Sequence, residues 1–315
     1  MTTGNVAAVD IGTNSVRLLV TDARGKELER RMRITRLGQG VDVSGALRPD
    51  AIRRTLDVLD EYGALIRVHG VDSVRAAATS AARDAENRDV FFDGAERAIG
   101  TRPELLPGEE EARLSFRGAT ADLDPALGPF LVVDIGGGST EFILGTMEPE
   151  ALVSVNMGCV RMTERHLATD PPTLAELDAL FADVRSELAH VRRAIDVGRM
   201  RLMLGLAGTV TTLAALSLGL TVHDPTKTHH LRLGRARVEA LFATLRASNV
   251  ASRRAMLLEP ARAEVIVGGA AVLVTILREL DIVELVVSEA DILDGLAASL
   301  RSSPRAMRAE PCTGG

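Results

Sequence analysis

Two stretches of the sequence decide the fold: AVDIGTNSVRLLV at Ala8–Val20 and VVDIGGGSTEFIL at Val132–Leu144. Each places Asp-Ile-Gly at the end of an apolar strand, continues through a turn of Gly with Ser or Thr, and enters a second strand. The two aspartates, Asp10 and Asp134, are 124 residues apart. A repeat of such a long period usually means a duplicated structural unit. The sequence therefore predicts two copies of one domain, with the two glycine turns facing each other across a cleft.

The order of strands and helices around these stretches supports a duplication. Each half reads β-β-β-α-β-α-β-α, and the second half carries extra helices. A joint rich in Pro and Gly, at residues 124–129, separates the halves. The pattern predicts an α/β protein with an N-terminal domain at residues 1–124 and a C-terminal domain at residues 125–295. A last helix, at about residues 296–315, is expected to pack back on the N-terminal domain.

The composition is that of an ordinary globular protein and excludes several classes of function. The chain has 315 residues, 37 basic and 43 acidic, and its net charge of −6 argues against general binding of nucleic acid. Aromatic residues form only 3% of it, which leaves few platforms for base stacking. No run reaches the roughly 18 apolar residues of a membrane span, and no secretory signal is recognisable. With only two cysteines, we expect a cytoplasmic protein without a membrane partner.

Both glycine turns have the composition of phosphate-binding loops. Glycine permits a sharp bend and a close approach to a ligand, and free N–H groups beside hydroxyls form a concave site for phosphate oxygens. Tight hairpins that bind nothing are the alternative, but two turns in register with an aspartate at each strand end favour a ligand. The candidate phosphate-binding residues are Thr13, Asn14 and Ser15 in the first turn and Gly136, Gly137, Gly138 and Ser139 in the second.

Asp10 and Asp134 end apolar strands, where an unpaired carboxylate would cost free energy. Each therefore needs a partner, which is either a set of backbone N–H groups, if the aspartate braces its turn, or a hydrated Mg²⁺ ion. A phosphate nearby favours the ion, because Mg²⁺ is commonly bound by one or two carboxylates together with substrate phosphates. The spacing alone leaves the structural and the metal-binding interpretations both open.

Further candidates lie at helix starts. Leu206–Thr212 passes from a strand into a helix with Gly208 and Thr209 at its start. Such a start attracts anions through its free N–H groups and its dipole, although N-capping by threonine explains the same residues. Arg83 follows a Thr-Ser pair, and its guanidinium would suit bidentate binding of a phosphate.

An acidic run, Glu109–Glu111, opens another predicted helix. Most such runs complement the positive end of the helix dipole. If a cleft lies alongside, one of the three could instead activate water, a role that typically contributes about 10² to 10⁴ in rate. The physical chemistry of the sequence does not say which of the three it is.

Four motifs, occurring in one order, make the chain resemble the exopolyphosphatase and guanosine pentaphosphate phosphohydrolase family, Ppx/GppA. They are DIGTNS from Asp10, ATSAARDAEN from Ala78, GEEEAR from Gly108 and DIGGGSTE from Asp134. The resemblance covers residues 6–296. It implies two duplicated domains of the acetate kinase, sugar kinase, Hsp70 and actin fold around a central cleft. It also implies hydrolytic removal of terminal phosphate from inorganic polyphosphate with Mg²⁺, or with Mn²⁺ as a second choice of ion.

Matched motif to motif, the resemblance assigns roles to single residues. Glu111 falls on the family's water-activating glutamate, which removes the ambiguity within the acidic run. Asp134, which the resemblance also makes a catalytic candidate, falls with Glu141 and Asp10 on acidic positions of the metal and phosphate site. Further phosphate contacts are implied for Arg83, Asn87, Gly208 and Thr209.

Near its end the chain departs from the longer members of the family. Residues 287–295 keep only the outline of a family segment, and the chain stops near residue 315, without added C-terminal helical domains. The resemblance therefore implies the short form, which should favour shorter polyphosphate chains, and a homodimer. Hydrolysis of guanosine pentaphosphate is the first alternative. An ATP-dependent kinase of the same fold and a non-catalytic sensor of polyphosphate or nucleotide are the others.

Overall fold

The computed structural model of the protein describes residues 4–302, and its first half contains one five-stranded sheet. The strands are β1 (Asn5–Ile11), β2 (Ser15–Thr21), β3 (Glu27–Ile34), β4 (Val71–Ala78) and β5 (Glu104–Leu105). They lie in the order β3-β2-β1-β4-β5, with β1 to β3 antiparallel and with β4 and β5 parallel to β1. The helices of this half are α1 (Val41–Ser44), α2 (Pro49–Val68), α3 (Ser80–Asp84), α4 (Arg88–Ile99) and α5 (Gly108–Thr120).

The second half contains a six-stranded sheet. Its strands are β6 (Phe130–Ile135), β7 (Thr140–Gly145), β8 (Pro149–Val155), β9 (Leu202–Leu206), β10 (Arg232–Gly234) and β11 (Glu284–Val287). They lie in the order β10-β11-β9-β6-β7-β8. The helices are α6 (Cys159–His166), α7 (Leu174–Ala194), α8 (Ala207–Ser217), α9 (Pro225–Thr228), α10 (Arg235–Ala247), α11 (Val250–Met256), α12 (Ile266–Glu279) and α13 (Ile292–Ser302).

The two sheets are copies of one topology. Taken from the edge strand β8, the second sheet runs β8-β7-β6-β9-β11, which matches β3-β2-β1-β4-β5 of the first, and β10 is added at the far edge. The sequence pattern did not reveal β10, because three residues are too short to show a period. The predicted α/β architecture of two duplicated domains is thereby confirmed.

Helices α5 and α13 connect the halves by packing on each other and on opposite sheets. On α5, Leu114 contacts the face of the first sheet that α13 also covers, whereas Phe116 packs against Phe130 and Val132 of the second sheet. Helix α13 begins at Ile292 and packs on α5, β1, β2 and β4. Residues 303–315 of the expected helix lie outside the described residues.

Each half also has a core of its own on the other face of its sheet. In the first half, α2 and α4 cover the sheet around Leu59 and Phe91. In the second half the larger core surrounds α12, which is buried on nearly all sides. Within residues 4–302, no helix has both the length and the apolar character that crossing a membrane requires. The cleft between the two sheets is therefore flanked by a hydrophobic core in each half.

Candidate active site

The two glycine turns meet at the bottom of the cleft between the halves. A Cβ atom added to Gly137 would lie 2.7 Å from Cβ of Thr13, and one added to Gly138 would lie 2.4 Å from Oγ of Ser80. Only a residue without Cβ permits this approach. The turns therefore face each other, as the duplicated sequence predicted, and line a cavity of about 80 Å³.

Polar groups of both turns have no partner within the described part of the chain. The backbone N–H groups of Thr13, Asn14, Gly137 and Gly138 donate to no acceptor there. The side chain of Asn14 is 6% exposed, yet neither its amide nitrogen nor its oxygen has a hydrogen-bond partner. Leaving such a buried group unpaired costs about 1 to 3 kcal/mol. The arrangement therefore suits a ligand rich in hydrogen-bonding oxygens.

A third turn brings the start of α8 to the same cavity. Ala207 has a φ of 64°, in the left-handed region, and turns the chain directly from β9 into α8. Gly208 and Thr209 then line the cavity together with Arg262. A Cβ atom added to Gly208 would lie 1.7 Å from a guanidinium nitrogen of Arg262. The absence of that Cβ therefore lets a cation lie against the helix start.

Glu111 reaches the cavity from the first turn of α5. Arg83 donates to its Oε2 at 2.6 Å and to the carbonyl of Leu106 at 2.8 Å. Burial raises the pKa of Glu111 to about 7, although the neighbouring Arg83 charge opposes the rise. A carboxyl group that titrates near neutral pH is well suited to accept a proton from water. Glu109, in the same acidic run, is exposed and does not line the cavity.

The repeated strands carry acidic residues with different neighbours. Asp10 lies opposite Arg17 in the β1-β2 pair, and Asp134 lies opposite Glu141 in the β6-β7 pair. Arg17 donates to Oδ2 of Asp10 from Nε at 2.9 Å and from Nη2 at 2.7 Å. Asp134 instead accepts from the hydroxyl of Ser115 on α5 at 2.8 Å. The second half therefore brings two negative charges to a place where the first half has an ion pair.

These carboxylates concentrate negative charge beside the cleft, but within residues 4–302 the oxygens of Asp10, Asp134 and Glu141 do not all lie within 4.8 Å of one another as a ready-formed cation site. Burial raises the pKa of Asp134 to about 6, and it raises the pKa of Asp10 against the influence of Arg17. Burial, followed by the charges of Glu111 and Asp134, raises the pKa of Glu141 well above its usual range. Hydrogen bonds from described residues occupy Oδ2 of Asp10 and Oδ2 of Asp134. A cation would offset this crowding of negative charge, and Mg²⁺ prefers oxygen ligands.

Most of the residues predicted for the site line the cavity. They are Asp10, Thr13, Asn14, Ser15, Glu111, Asp134, Gly136, Gly137, Gly138, Ser139, Gly208 and Thr209. Asn87 lies away from the cavity. Its amide oxygen accepts from the N–H of Leu47 at 2.8 Å, and its amide nitrogen donates to the carbonyl of Leu47 at 2.9 Å. Glu141 lies behind the cavity wall, 1% exposed, and accepts from Ser154 at 2.7 Å. Arg83 reaches the site through its ion pair with Glu111.

Three residues at or next to the site were not predicted from the sequence. Arg17 lines the cavity and also pairs with Asp291, which precedes α13. Its signal was a single cation inside the apolar strand β2, at the repeat position of Glu141. Asp291 lies in the segment that departs from the family pattern, so that its place in the site was not recognised. Arg262 lies in a stretch without any motif and carries no local signal.

The fold and the cleft define an α/β protein built from two copies of one unit, with a cavity suited to phosphate between them. A model of the Ppx/GppA phosphatase family matches residues 19–303, and the chain belongs to that family. The resemblance seen in the four motifs is thereby confirmed. The protein is accordingly an enzyme, a hydrolase of phosphoanhydride bonds.

Individual relatives agree with this assignment. The chain is 46% identical over 312 residues to Exopolyphosphatase 2 of Mycobacterium tuberculosis, covering 94% of this chain and 98% of that protein. It is 31% identical over 296 residues to the guanosine-5'-triphosphate,3'-diphosphate pyrophosphatase of Vibrio atlanticus, covering 92% of this chain and 58% of that protein. A crystal structure of an exopolyphosphatase-like protein superposes with a TM-score of 0.91 at 39% identity, covering 94% and 98% of the two chains.

Proposed function

We propose that the protein is an exopolyphosphatase, which releases terminal orthophosphate from inorganic polyphosphate. One observation carries the proposal: two facing turns with unpaired N–H groups enclose a small cavity into which the buried Glu111 projects. The turns suit the oxygens of a phosphate, and the acid suits the activation of water. The relative named Exopolyphosphatase 2, at 46% identity, supports the choice of substrate.

The chain's own groups would perform the reaction as follows. The turn N–H groups and the start of α8 bind the oxygens of the terminal phosphate. Glu111 accepts a proton from a water molecule as the water oxygen forms a bond to the terminal phosphorus. The bond from that phosphorus to the bridging oxygen breaks, and the shortened chain leaves with that oxygen. Because little covalent assistance is available in such a transfer, the rate depends on positioning and on charge stabilisation.

Asp10, Asp134 and Glu141 are the residues proposed to hold Mg²⁺, with Mn²⁺ as a second choice. Their support is the family resemblance and the charge of three buried carboxylates with raised pKa values, of which Asp10 and Asp134 line the cavity and Glu141 lies behind its wall. When bound, the ion would neutralise charge on the phosphate oxygens. Asp134 is the candidate for both metal binding and catalysis. It lines the cavity, and it accepts a hydrogen bond from Ser115 on the helix that carries Glu111.

Guanosine pentaphosphate is the second candidate substrate. The Vibrio atlanticus relative, at 31% identity, is named for a guanosine polyphosphate. Both substrates would present a terminal phosphate to the same turns.

The test is orthophosphate release from tripolyphosphate, long-chain polyphosphate and guanosine pentaphosphate, each with Mg²⁺ and with a chelator. We expect release of single phosphates from polyphosphate with Mg²⁺ and loss of release with the chelator. Faster hydrolysis of tripolyphosphate would support the preference for short chains. Tight binding without any phosphate release would instead identify a sensor, and transfer from ATP to an acceptor would identify a kinase.

The homodimer and the cytoplasmic location expected from the sequence are kept as part of the proposal. Light scattering of the purified protein at micromolar concentration tests the first. A mass of about twice 33.5 kDa is the expected result.

A further inference from the structure

Arg262 lies on a short turn between α11 and α12. The turn consists of residues Pro260–Glu264, and we call it the Arg262 turn. The guanidinium of Arg262 lines the cleft beside Gly208 and forms no hydrogen bond or ion pair within residues 4–302. Because no partner orients this side chain, the place of its charge in the cleft depends on how the backbone of the Arg262 turn is held.

Two other arginines hold the backbone on either side of Arg262. Arg253 of α11, which is 3% exposed, donates through Nε to the carbonyl of Ala263 at 2.8 Å. Arg36 donates through Nη2 to the carbonyl of Ala261 at 3.0 Å. Hydrogen bonds from a charged donor are roughly twice as strong as those between neutral groups. Arg253 belongs to the same half as Arg262, whereas Arg36 lies between β3 and α1 of the other half. One of the two supports therefore crosses from half to half.

Arg36 is also part of the support of the first glycine turn. Its backbone N–H donates to the carbonyl of Asn14 at 3.0 Å, and the N–H of Thr35 donates to the same carbonyl at 3.1 Å. The φ of Arg36 is 55°, in the left-handed region, which a residue with a Cβ adopts only where its surroundings impose it. Its Nη1 donates to Oε2 of Glu264 at 2.6 Å. A single residue thus joins the first glycine turn to the Arg262 turn.

We propose that Arg36 is a positioning residue, which keeps the guanidinium of Arg262 at a fixed place relative to the first glycine turn, so that both contact the same phosphate. With the contact broken, the Arg262 turn is held by its own half alone, and the charge is free to shift within the cleft. This inference rests on the proposed binding of phosphate in the cleft. It extends that proposal to a residue that does not itself line the cavity.

The test measures whether the effect of Arg36 requires Arg262. In Arg36→Ala we expect kcat/KM for tripolyphosphate to fall by about tenfold, because displacement of a binding group is costly in rate. Arg262→Ala should lose at least as much, and the addition of Arg36→Ala to it should cause no further loss. A merely structural role would lower kcat/KM by the same factor with or without Arg262. That result, or full activity of Arg36→Ala, would overturn the inference.

Arg33→Ala is the matched control, because it removes the same charge three residues earlier in the chain. Arg33 is exposed on β3 and, among the described residues, donates only to the carbonyl of Met32. Its kcat/KM should change by less than about twofold. Arg36→Lys keeps a positive charge for Glu264 but loses the planar fork that also reaches Ala261. It should therefore recover only part of the activity that Arg36→Ala loses.

Glu264→Gln approaches the same contact from the other half if circular dichroism shows that Arg36→Ala does not fold. The neutral amide weakens the contact but leaves the bond to the carbonyl of Ala261, so that kcat/KM should fall by about threefold. It should have no effect in the Arg262→Ala background. An unchanged kcat/KM in Glu264→Gln, or an equal fall in both backgrounds, would overturn the inference.

A binding measurement separates this inference from the proposed function, since it needs no turnover. Methylenediphosphonate is a pyrophosphate analogue that resists hydrolysis, and calorimetry with Mg²⁺ gives its affinity. We expect about tenfold weaker binding in Arg36→Ala than in wild type. Equal affinities would overturn the inference even if tripolyphosphate is hydrolysed. The expected difference in affinity, without phosphate release from any substrate by wild type, would support the inference and refute the proposed function.

Discussion

At the scale of single residues, one position in the repeat decides whether the aspartate of each copy faces a cation or a second carboxylate. Arg17 and Glu141 occupy the same place in the two copies, each opposite an aspartate in the neighbouring strand. The first copy therefore carries a closed ion pair, and the second carries two carboxylates. Because like charges disfavour each other's ionised form, the second copy is where a cation or a proton is needed. The two copies share one sheet topology, and the change from Arg to Glu at this position gives the second copy its additional negative charge.

Glu111→Gln tests the residue that would activate water. We expect kcat to fall by about 10² to 10⁴, because the amide cannot accept the proton, while binding of substrate is retained. Steady-state phosphate release gives kcat, and calorimetry with tripolyphosphate gives binding. Glu109→Gln, in the same helix turn but exposed, is the control and should keep full activity. A Glu111→Gln protein with normal turnover would remove Glu111 from the mechanism.

The pH dependence of activity tests the ion pair between Arg83 and Glu111. With a pKa of about 7, Glu111 becomes the ionised base as pH rises, so that kcat/KM should increase up to about pH 7 and then level off. Arg83 favours the ionised form. Its loss in Arg83→Ala should raise the pKa of Glu111 and move this acidic limb to higher pH.

Arg83→Lys keeps the positive charge and serves as the control for Arg83→Ala. Its acidic limb should lie between those of wild type and Arg83→Ala, since Lys loses the bond geometry of the guanidinium but not its charge. The same rate profile in all three proteins would mean that another group controls the limb. The rate should be measured between about pH 5 and pH 9. The pKa of an ordinary Glu lies below this range, so that an acidic limb within it reports a raised pKa.

At the scale of elements, the crossing of α5 and α13 positions Glu111. A Cβ atom added to Gly118 would lie 1.9 Å from the carbonyl oxygen of Asp291, and one added to Gly295 would lie 2.2 Å from that of Leu114. Two glycines thus bring the helix backbones into contact. Because α5 carries Glu111 in its first turn, the depth of this crossing sets how far the carboxylate projects into the cleft.

Gly295→Ala tests this crossing. Helix propensity alone would favour Ala over Gly by about 0.8 to 1 kcal/mol. We nevertheless expect a lower free energy of unfolding, by about 1 to 3 kcal/mol, because the added methyl group forces α13 away from α5. Urea unfolding followed by circular dichroism gives the midpoint.

Gly234→Ala is the control for Gly295→Ala, because it makes the same change where there is room for it. Gly234 precedes α10 with a φ of −72°, and an added Cβ atom would lie 3.9 Å from the carbonyl oxygen of Val283, which is ordinary contact. The free energy of unfolding should change by less than about 1 kcal/mol there. A stabilised Gly295→Ala protein would show that the helices separate without cost.

At the scale of the whole molecule, ion pairs across the cleft hold the two halves together. Asp42 of α1 accepts from Arg161 and, at 3.1 Å, from Arg165, both on α6. Arg161 also pairs with Asp84, and the carboxylate of Glu164 accepts from the N–H of Gly40 at 3.0 Å. These contacts join the first half to the second at the edge of the cleft beside the second glycine turn. They therefore stabilise the closed arrangement in which the turns face each other.

Asp42→Asn tests the contribution of this cluster. The amide cannot pair with two guanidinium groups, so that the halves should open more easily and KM for tripolyphosphate should rise by about three- to tenfold. Small-angle X-ray scattering should show a larger radius of gyration. Asp60→Asn, an exposed acid of α2 with no ion pair among the described residues, is the control. Unchanged KM and radius in Asp42→Asn would show that closure does not depend on these pairs.

Some residues of the site could be predicted from local sequence signals, and others could not. The turns at Gly12 and Gly136 could be predicted, because glycine beside hydroxyl residues after an apolar strand is a local signal. The choice of Glu111 came from the family resemblance, and its burial beside Arg83 gives a physical reason for that choice. Asn87 shows the limit of a motif, since the structure has its side chain bonded to the backbone of Leu47, away from the cavity.

By itself, the sequence determined that one α/β unit occurs twice and that each copy places an aspartate and a glycine turn at a strand end. Only the tertiary structure decided which charges meet in the cleft. Arg17 and Asp291 are separated by 274 positions in the chain, and Arg262 lies against Gly208 without any motif to mark it. Patterns in a sequence record forces between neighbours along the chain. Pairing of distant charges depends instead on how helices and sheets pack, which the hydrophobic cores fix only when the whole chain is folded.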